Sequence, residues 1–106
     1  MSYWVYIARC GDTTLYTGAT TDLERRIREH NEKRHGAKYT AGRLPICLAQ
    51  AWEVKEWSDA LRLEKALKKM SRNYKEKLIK EPAQIYELAN SRDWQFSISC
   101  TQTGAK

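Results

Sequence analysis

Residues 3–33 read YWVYIARCGDTTLYTGATTDLERRIREHNEK, and their pattern predicts a β-hairpin followed by a helix. The run from Tyr3 to Cys10 is rich in aromatic and β-branched residues and ends at the turn residues Gly11-Asp12. A second strand-like run, Leu15 to Gly18, follows this turn. Two such runs separated by a short polar turn are typical of adjacent antiparallel strands.

The helix after the hairpin is predicted from its N-terminal signal. Thr21-Asp22-Leu23-Glu24 matches the capping box, in which a Ser or Thr caps the helix and a glutamate three residues later caps in return. We therefore expect Thr21 as the N-cap of a helix that runs to about Lys33. The basic segment bracketed by Gly36 and Gly42 is predicted to be a loop.

The rest of the chain predicts one more strand and three helical segments. The predicted elements are a strand from Ile46 to Trp57 and helices from Ser58 to Met70, from Arg72 to Lys80 and from Pro82 to about Asn90. In the C-terminal tail, Trp94, Phe96 and Ile98 alternate with polar residues, a pattern compatible with a short edge strand or a flexible end.

These elements predict one α+β domain, a small three-stranded antiparallel sheet flanked by three to four helices. A chain of 106 residues has room for one hydrophobic core. We therefore assign residues 1–90 to a single domain and residues 91–106 to a C-terminal tail.

The chain is basic, with 19 Lys and Arg against 13 Asp and Glu, a net charge of +6 and a pI near 9.3. This balance favours a polyanionic partner, either nucleic acid or an anionic membrane. The sequence contains no apolar run of about 20 residues and no signal-peptide pattern, so we expect a cytoplasmic protein without a membrane partner. Its cysteines, Cys10, Cys47 and Cys100, match no zinc-binding spacing.

Two polar side chains lie on the apolar face of the first predicted helix. That face, defined by i, i+3, i+4 and i+7 spacing, carries Leu23, Arg26, Ile27 and His30. A guanidinium among apolar residues needs an acceptor, and a phosphate would be one. Alternatively, the stem of Arg26 covers the core while its head reaches water or a local carboxylate. His30 is either a histidine at the edge of the core or a proton carrier.

A carboxylate borders the apolar stripe of the second predicted helix. The stripe consists of Ala60, Leu63, Ala66, Leu67 and Met70. Glu64 at its edge is either an ion-pair partner, for instance of Arg26, or an oxygen ligand of a hard cation such as Mg²⁺. Tyr6 and Tyr16 in the hairpin are each, taken alone, typical of half-buried packing residues.

Taken together, these residues resemble the motif set of the GIY-YIG nuclease superfamily. Trp4-Val5-Tyr6 stands where the GIY triplet is expected, with tryptophan in place of the glycine. Tyr16-Thr17-Gly18 stands where YIG is expected, and Arg26, His30 and Glu64 follow in the expected order. Four further runs are similar to the small, single-domain YhbQ-like group, namely residues 8–10, 22–26, 38–40 and 67–72.

The resemblance implies that residues 1–90 form the catalytic domain of a divalent-metal-dependent endonuclease. Tyr6, helped by His30 or Tyr16, would act as the general base for the attacking water or relay its proton. Arg26 would stabilise charge on the phosphate, and Glu64 would hold one Mg²⁺ or Mn²⁺ ion.

The partner implied by the resemblance is DNA, branched or single-stranded, cut with selectivity for structure rather than sequence in repair or recombination. The residues expected to contact it are Gly18, Arg26, Lys38, Tyr39, Arg43, Lys68, Lys69 and Arg72, with Lys75 and Lys77 nearby. The alternative function is a nucleic-acid-binding module that does not cleave, or a subunit that a protein partner targets to its substrate.

Overall fold

The structure is a computed structural model that describes residues 2–32 and 42–100. Its strands are β1 (Tyr3–Cys10), β2 (Leu15–Thr20), β3 (Ile46–Val54) and β4 (Ser99–Cys100). Its helices are α1 (Leu23–Glu32), α2 (Trp57–Lys68), α3 (Arg72–Lys80) and α4 (Ile85–Ser91), and a 3-10 turn at Pro82–Gln84 precedes α4.

The predicted α+β class is confirmed, but the sheet has four strands and not three. All neighbours are antiparallel, in the order β2-β1-β3-β4. The additional strand, β4, pairs with Trp52 and Glu53 of β3. Trp94 and Phe96 stack on each other and Ile98 is buried in the core, so strand pairing begins only after them. The described part of the tail therefore packs on the domain, while its assignment as a separate segment stays a prediction.

The helix ends differ from prediction where a side-chain cap was misassigned. Asp22, not Thr21, is the N-cap of α1, because its Oδ1 accepts a hydrogen bond from the Arg25 backbone N–H at 3.1 Å. The predicted cap of α2, Ser58, lies inside that helix, which begins one residue earlier. Ser71 caps α3 as predicted and accepts from the backbone N–H of Tyr74 at 3.1 Å.

The sheet separates two layers of apolar side chains, because successive residues of a strand point to opposite faces. One face packs with α2, α3 and α4 around a cluster that includes Val5, Trp52 and Leu63. The other face packs with α1 around a cluster that includes Tyr6 and Ile46. β2 lies at one edge of the sheet, so residues from both layers can meet there.

None of the helices in residues 2–32 and 42–100 has both the length and the apolar character needed to span a bilayer.

Candidate active site

Tyr6 lies in the middle of β1 and faces a small residue on each neighbouring strand. Its cross-strand partners are Gly18 in β2 and Ala51 in β3. A Cβ atom added at Gly18 would stand 2.6 Å from the Tyr6 hydroxyl oxygen and 3.0 Å from Cε2 of Tyr16. The missing side chain at Gly18 therefore provides the space in which the Tyr6 phenol lies, and Gly18 is itself buried.

The Tyr6 hydroxyl forms a buried hydrogen bond with the imidazole of His30. The two atoms, Tyr6 Oη and His30 Nε2, are 3.2 Å apart, and each residue is 1% exposed. Tyr16 completes the cluster: its ring centroid lies 5.3 Å from that of His30 and 6.2 Å from that of Tyr6. Three predicted site residues from β1, β2 and α1 are thus brought into contact.

The charge state of His30 follows from its burial. Burial and, after it, the positive charge of Arg26 lower the pKa of His30 from 6.5 to about 4. The ring is therefore neutral at physiological pH, and a neutral imidazole has one nitrogen that accepts a hydrogen bond. With that nitrogen at Nε2, Tyr6 is the donor of the pair.

Tyr6 is a neutral phenol in the protein alone. Burial, and then the negative charge of a Tyr16 phenolate, raise the pKa of Tyr6 well above its usual range. The Arg26 guanidinium has the opposite influence on the pKa of Tyr6, but burial outweighs it. Removing the proton from Tyr6 thus requires an acceptor or a further positive charge at the site.

Arg26 lies one helical turn before His30 on α1. Its Nη1 is 3.3 Å from Oε1 of Glu29, and about a quarter of its side chain (25%) is exposed. Pairing with a local carboxylate is one of the alternatives that the sequence left open. The guanidinium also interacts with the hydroxyl of Tyr6, so it extends from the buried cluster toward solvent, where an anion can reach it.

Glu64 belongs to α2, which packs on the face of the sheet opposite to the face covered by α1. Its side chain is 17% exposed, and its Oε2 lies 3.2 Å from Nζ of Lys68. The charge of Glu64 also acts on the Tyr6 hydroxyl and raises its pKa. The ion pair considered from the sequence is therefore present, with Lys68 as the partner of Glu64.

Glu64 is the one carboxylate at this site that Mg²⁺ or Mn²⁺ could use among the residues predicted from the sequence. Within the described residues, no group of three or more His, Cys, Asp and Glu side chains is placed to hold a metal ion. Mg²⁺ commonly takes only one or two protein carboxylates and keeps its remaining positions for water and phosphate oxygens. A partly exposed Glu64 fits that kind of site.

The predicted nucleic-acid contacts have different surroundings. Lys38 and Tyr39 lie outside the described residues. Arg43 Nη1 pairs with Asp12 at 2.7 Å, and Arg72 Nη2 pairs with Glu76 at 3.3 Å. Lys68, Lys69 and Arg72 are all exposed, whereas Gly18 is buried under Tyr6 and can contact a ligand only through its neighbours.

Asn31 is a positioning residue that sequence reasoning missed. Its side-chain amide pairs with both backbone groups of Ile46, accepting from N–H at 2.8 Å and donating to C=O at 3.0 Å. The pair joins the end of α1 to the start of β3 and so fixes the helix that carries Arg26 and His30. A polar residue near a helix end is ordinary in sequence, so no local signal marks this contact.

Comparison with known proteins supports the motif assignment. The family described as the GIY-YIG catalytic domain matches residues 2–78. A UPF0213 protein from Syntrophus aciditrophicus is 47% identical over 78 residues, which are 74% of this chain and 90% of the relative. Another from Halalkalibacterium halodurans is 42% identical over 87 residues, 82% of this chain and 92% of the relative.

Among solved structures, the solution NMR structure of a UPF0213 protein from Bacillus halodurans is similar in sequence, with 44% identity. The alignment covers 76% of this chain and 84% of that one, with a TM-score of 0.49.

Proposed function

The chain belongs to the GIY-YIG family, and we propose that it is a divalent-metal-dependent endonuclease that hydrolyses DNA phosphodiester bonds. The observation that carries the proposal is the position of the Tyr6 hydroxyl. It is bonded to a neutral His30 and is influenced by the charges of both Arg26 and Glu64. A base, a cation and a metal-binding carboxylate around one oxygen are what phosphodiester hydrolysis requires.

Proton removal from water is assigned to Tyr6 and His30. The Tyr6 oxygen accepts a hydrogen bond from the attacking water while its own proton is held by Nε2 of His30. As the water proton moves to Tyr6, the Tyr6 proton moves to His30, so that no free phenolate has to form. Burial and Arg26 disfavour the resulting imidazolium in the protein alone, and the negative charge of a bound phosphate would favour it. This relay is consistent with the raised pKa of Tyr6, which makes a stable phenolate unfavourable.

Stabilisation of the negative charge on the phosphate is assigned to Arg26 and Glu64. The partly exposed guanidinium of Arg26 donates to the non-bridging oxygens, on which negative charge grows in the transition state. Glu64 would hold the divalent cation, which supplies Lewis-acid stabilisation of the phosphate when bound. Lys68, now paired with Glu64, is then free to contact a neighbouring phosphate.

We assign the enzyme a role in DNA repair or recombination, with preference for structure over sequence. The basic residues of α2 and α3 favour contacts with the phosphate backbone, which carry no direct sequence information. The family match supports a nuclease and nucleic-acid binding. Metal dependence, substrate and pathway are the parts that we propose.

The test is cleavage of labelled single-stranded, duplex, flap and four-way-junction DNA in Mg²⁺, Mn²⁺ or EDTA. Wild-type protein is expected to cut at least one substrate only with metal. Arg26→Ala and Glu64→Ala should abolish cutting while the circular dichroism spectrum stays unchanged. Glu87→Gln, an exposed carboxylate on α4, is the matched control and should cut normally. Unchanged turnover in either site variant would refute the mechanism.

The second candidate function is nucleic-acid binding without cleavage, alone or as a subunit of a complex. The pairing of Glu64 with Lys68 favours it, because the ammonium group occupies the side of the carboxylate that a cation would use. Binding of DNA with no cutting of any substrate in any metal would support this second function.

A further inference from the structure

One flank of α2 carries Glu64 together with exposed apolar and basic side chains. At i, i+4, i+7 and i+11 spacing, this flank presents Trp57, Leu61, Glu64 and Lys68. The side of the helix that faces the core carries, among others, the buried Ala60 and Leu63. The proposed metal-binding carboxylate thus lies between an apolar part and a basic part of one continuous surface, which we call the Glu64 flank.

The apolar part of the Glu64 flank is unusually exposed. Trp57 is 40% exposed and Leu61 is 43% exposed. Within residues 2–32 and 42–100 only one other large apolar side chain, Tyr86, is exposed to this degree. The Tyr3 ring lies 5.4 Å from the Trp57 ring at an interplanar angle of 55° and supports it from the sheet side. Adjacent exposed apolar side chains beside a catalytic group indicate a binding surface.

The basic end of the Glu64 flank, at Lys68, borders a groove between α2, α3 and β2. Lys68 and Lys75 line a groove of about 350 Å³ together with Leu15, Tyr16 and Thr17 of β2. Lys75 also lines the adjoining groove with Arg72. Burial, and then the charge of Lys68, lower the pKa of Lys75, so the two ammonium groups already repel each other in the protein alone. A phosphate in the groove would relieve this repulsion.

We propose that the Glu64 flank binds a single-stranded segment of DNA across the scissile phosphate. An unpaired base stacks on Trp57 and contacts Leu61, on one side of Glu64. Phosphates on the other side of the cleaved bond lie in the groove between Lys68 and Lys75. The inference rests on the proposed nuclease function and assigns Trp57, Leu61, Lys68 and Lys75 as the residues that hold unpaired nucleotides on either side of the cleavage point.

The chemistry of the surface favours an unpaired base over duplex DNA. In a duplex the faces of the bases are covered by their neighbours, so an aromatic ring has no face to stack on unless a base leaves the stack. Stacking on an aromatic side chain is also tolerant of sequence, in agreement with structure selectivity. Trp57 lies seven residues before Glu64, about 10 Å along the helix axis, so a strand can reach both.

Binding in EDTA, without cleavage, tests the inference by fluorescence anisotropy of labelled single-stranded and duplex DNA. Trp57→Ala should weaken binding of the single strand by about tenfold, in line with the loss of one stacked base, and leave duplex binding within about twofold. Tyr86→Ala is the matched control, because Tyr86 is 43% exposed and lies on α4. It should change neither affinity. Lys75→Gln should weaken binding of single-stranded DNA and reduce the salt dependence of that binding.

Two results would overturn the inference: unchanged single-strand affinity in Trp57→Ala, or an equal loss on duplex DNA. A third result, a change of sedimentation coefficient in Trp57→Ala beyond the two affinity outcomes above, would overturn it and assign the patch to a second copy of the chain. Cleavage assays in Mg²⁺ separate this inference from the nuclease proposal. If wild-type protein cuts DNA and Trp57→Ala cuts and binds normally, only the inference fails. If wild-type protein cuts nothing but Trp57→Ala loses single-strand binding, only the nuclease proposal fails.

Discussion

Gly18 lies directly opposite Tyr6 in the β1–β2 ladder, and the Tyr6 hydroxyl occupies the space that a side chain at position 18 would need. An added Cβ would meet both the oxygen and the Cζ atom of Tyr6, at 2.6 and 2.8 Å. The glycine of the second motif triplet and the tyrosine of the first are therefore coupled by packing, since a larger residue at position 18 requires Tyr6 to move.

The Gly18→Ala variant should lose both stability and activity. The phenol of Tyr6 has to move away from the new methyl group, which costs about 1–3 kcal/mol in unfolding free energy and lengthens the bond to His30. Urea unfolding and DNA cleavage measure the two effects. The control is Gly42→Ala, because an added Cβ at Gly42 meets no atom of residues 2–32 and 42–100 within 4 Å. Equal stability of the two variants would show that the contact between Tyr6 and position 18 tolerates an added methyl group.

Tyr6→Phe should separate the chemistry of the hydroxyl from the packing of the ring. The variant keeps the aromatic contact with Tyr16 but removes the hydrogen bond to His30. We expect cleavage to fall by at least about 100-fold, the usual range for a lost general base, while unfolding free energy falls by about 1–3 kcal/mol. Single-turnover kinetics with saturating protein is the measurement. Wild-type rates in Tyr6→Phe would remove Tyr6 from the mechanism.

The low pKa of His30 predicts acid destabilisation. The pKa of His30 is about 4 in the folded protein, and its ordinary value is 6.5. Between pH 4 and pH 6.5 the unfolded chain therefore binds more protons at His30 than the folded protein does. The unfolding free energy therefore falls as pH decreases from 6.5 to 4, and this contribution is complete above pH 6.5. Urea unfolding at several pH values measures it. His30→Gln should show a shallower decrease in this window, and parallel curves would contradict the burial of a neutral His30.

Asn31→Ala should destabilise the protein although Asn31 is an exposed residue. The backbone N–H and C=O of Ile46 lose their partners, and the expected decrease in unfolding free energy is about 1–3 kcal/mol. Thermal unfolding followed by circular dichroism measures the change. Glu32→Ala, one residue further along α1, is the control and should stay within about 0.5 kcal/mol of wild type. An unchanged unfolding free energy in Asn31→Ala would mean that water replaces the side-chain amide as the partner of Ile46.

Much of the chain was predictable because its signals are local. The hairpin and the helix capped by Ser71 depend on residues close in sequence and formed where the pattern indicated. The third strand begins at Ile46 as predicted but ends at Val54, and Trp57, its predicted last residue, opens α2. The motif spacing identified the family, and Tyr6, Tyr16 and His30 are indeed in contact. Caps were less predictable, because Thr21 and Asp22 can both cap a helix and the choice depends on backbone geometry.

The sequence by itself determined the secondary structure of the motif segment, the family and the residue types at the site. Only the tertiary structure decided the pairing of β4 with β3, the neutral state of His30 and the exposure of Trp57 beside Glu64. The physical reason is the range of the interactions. Propensity and periodicity act over a few residues, whereas strand pairing, burial and pKa depend on groups that only folding brings together.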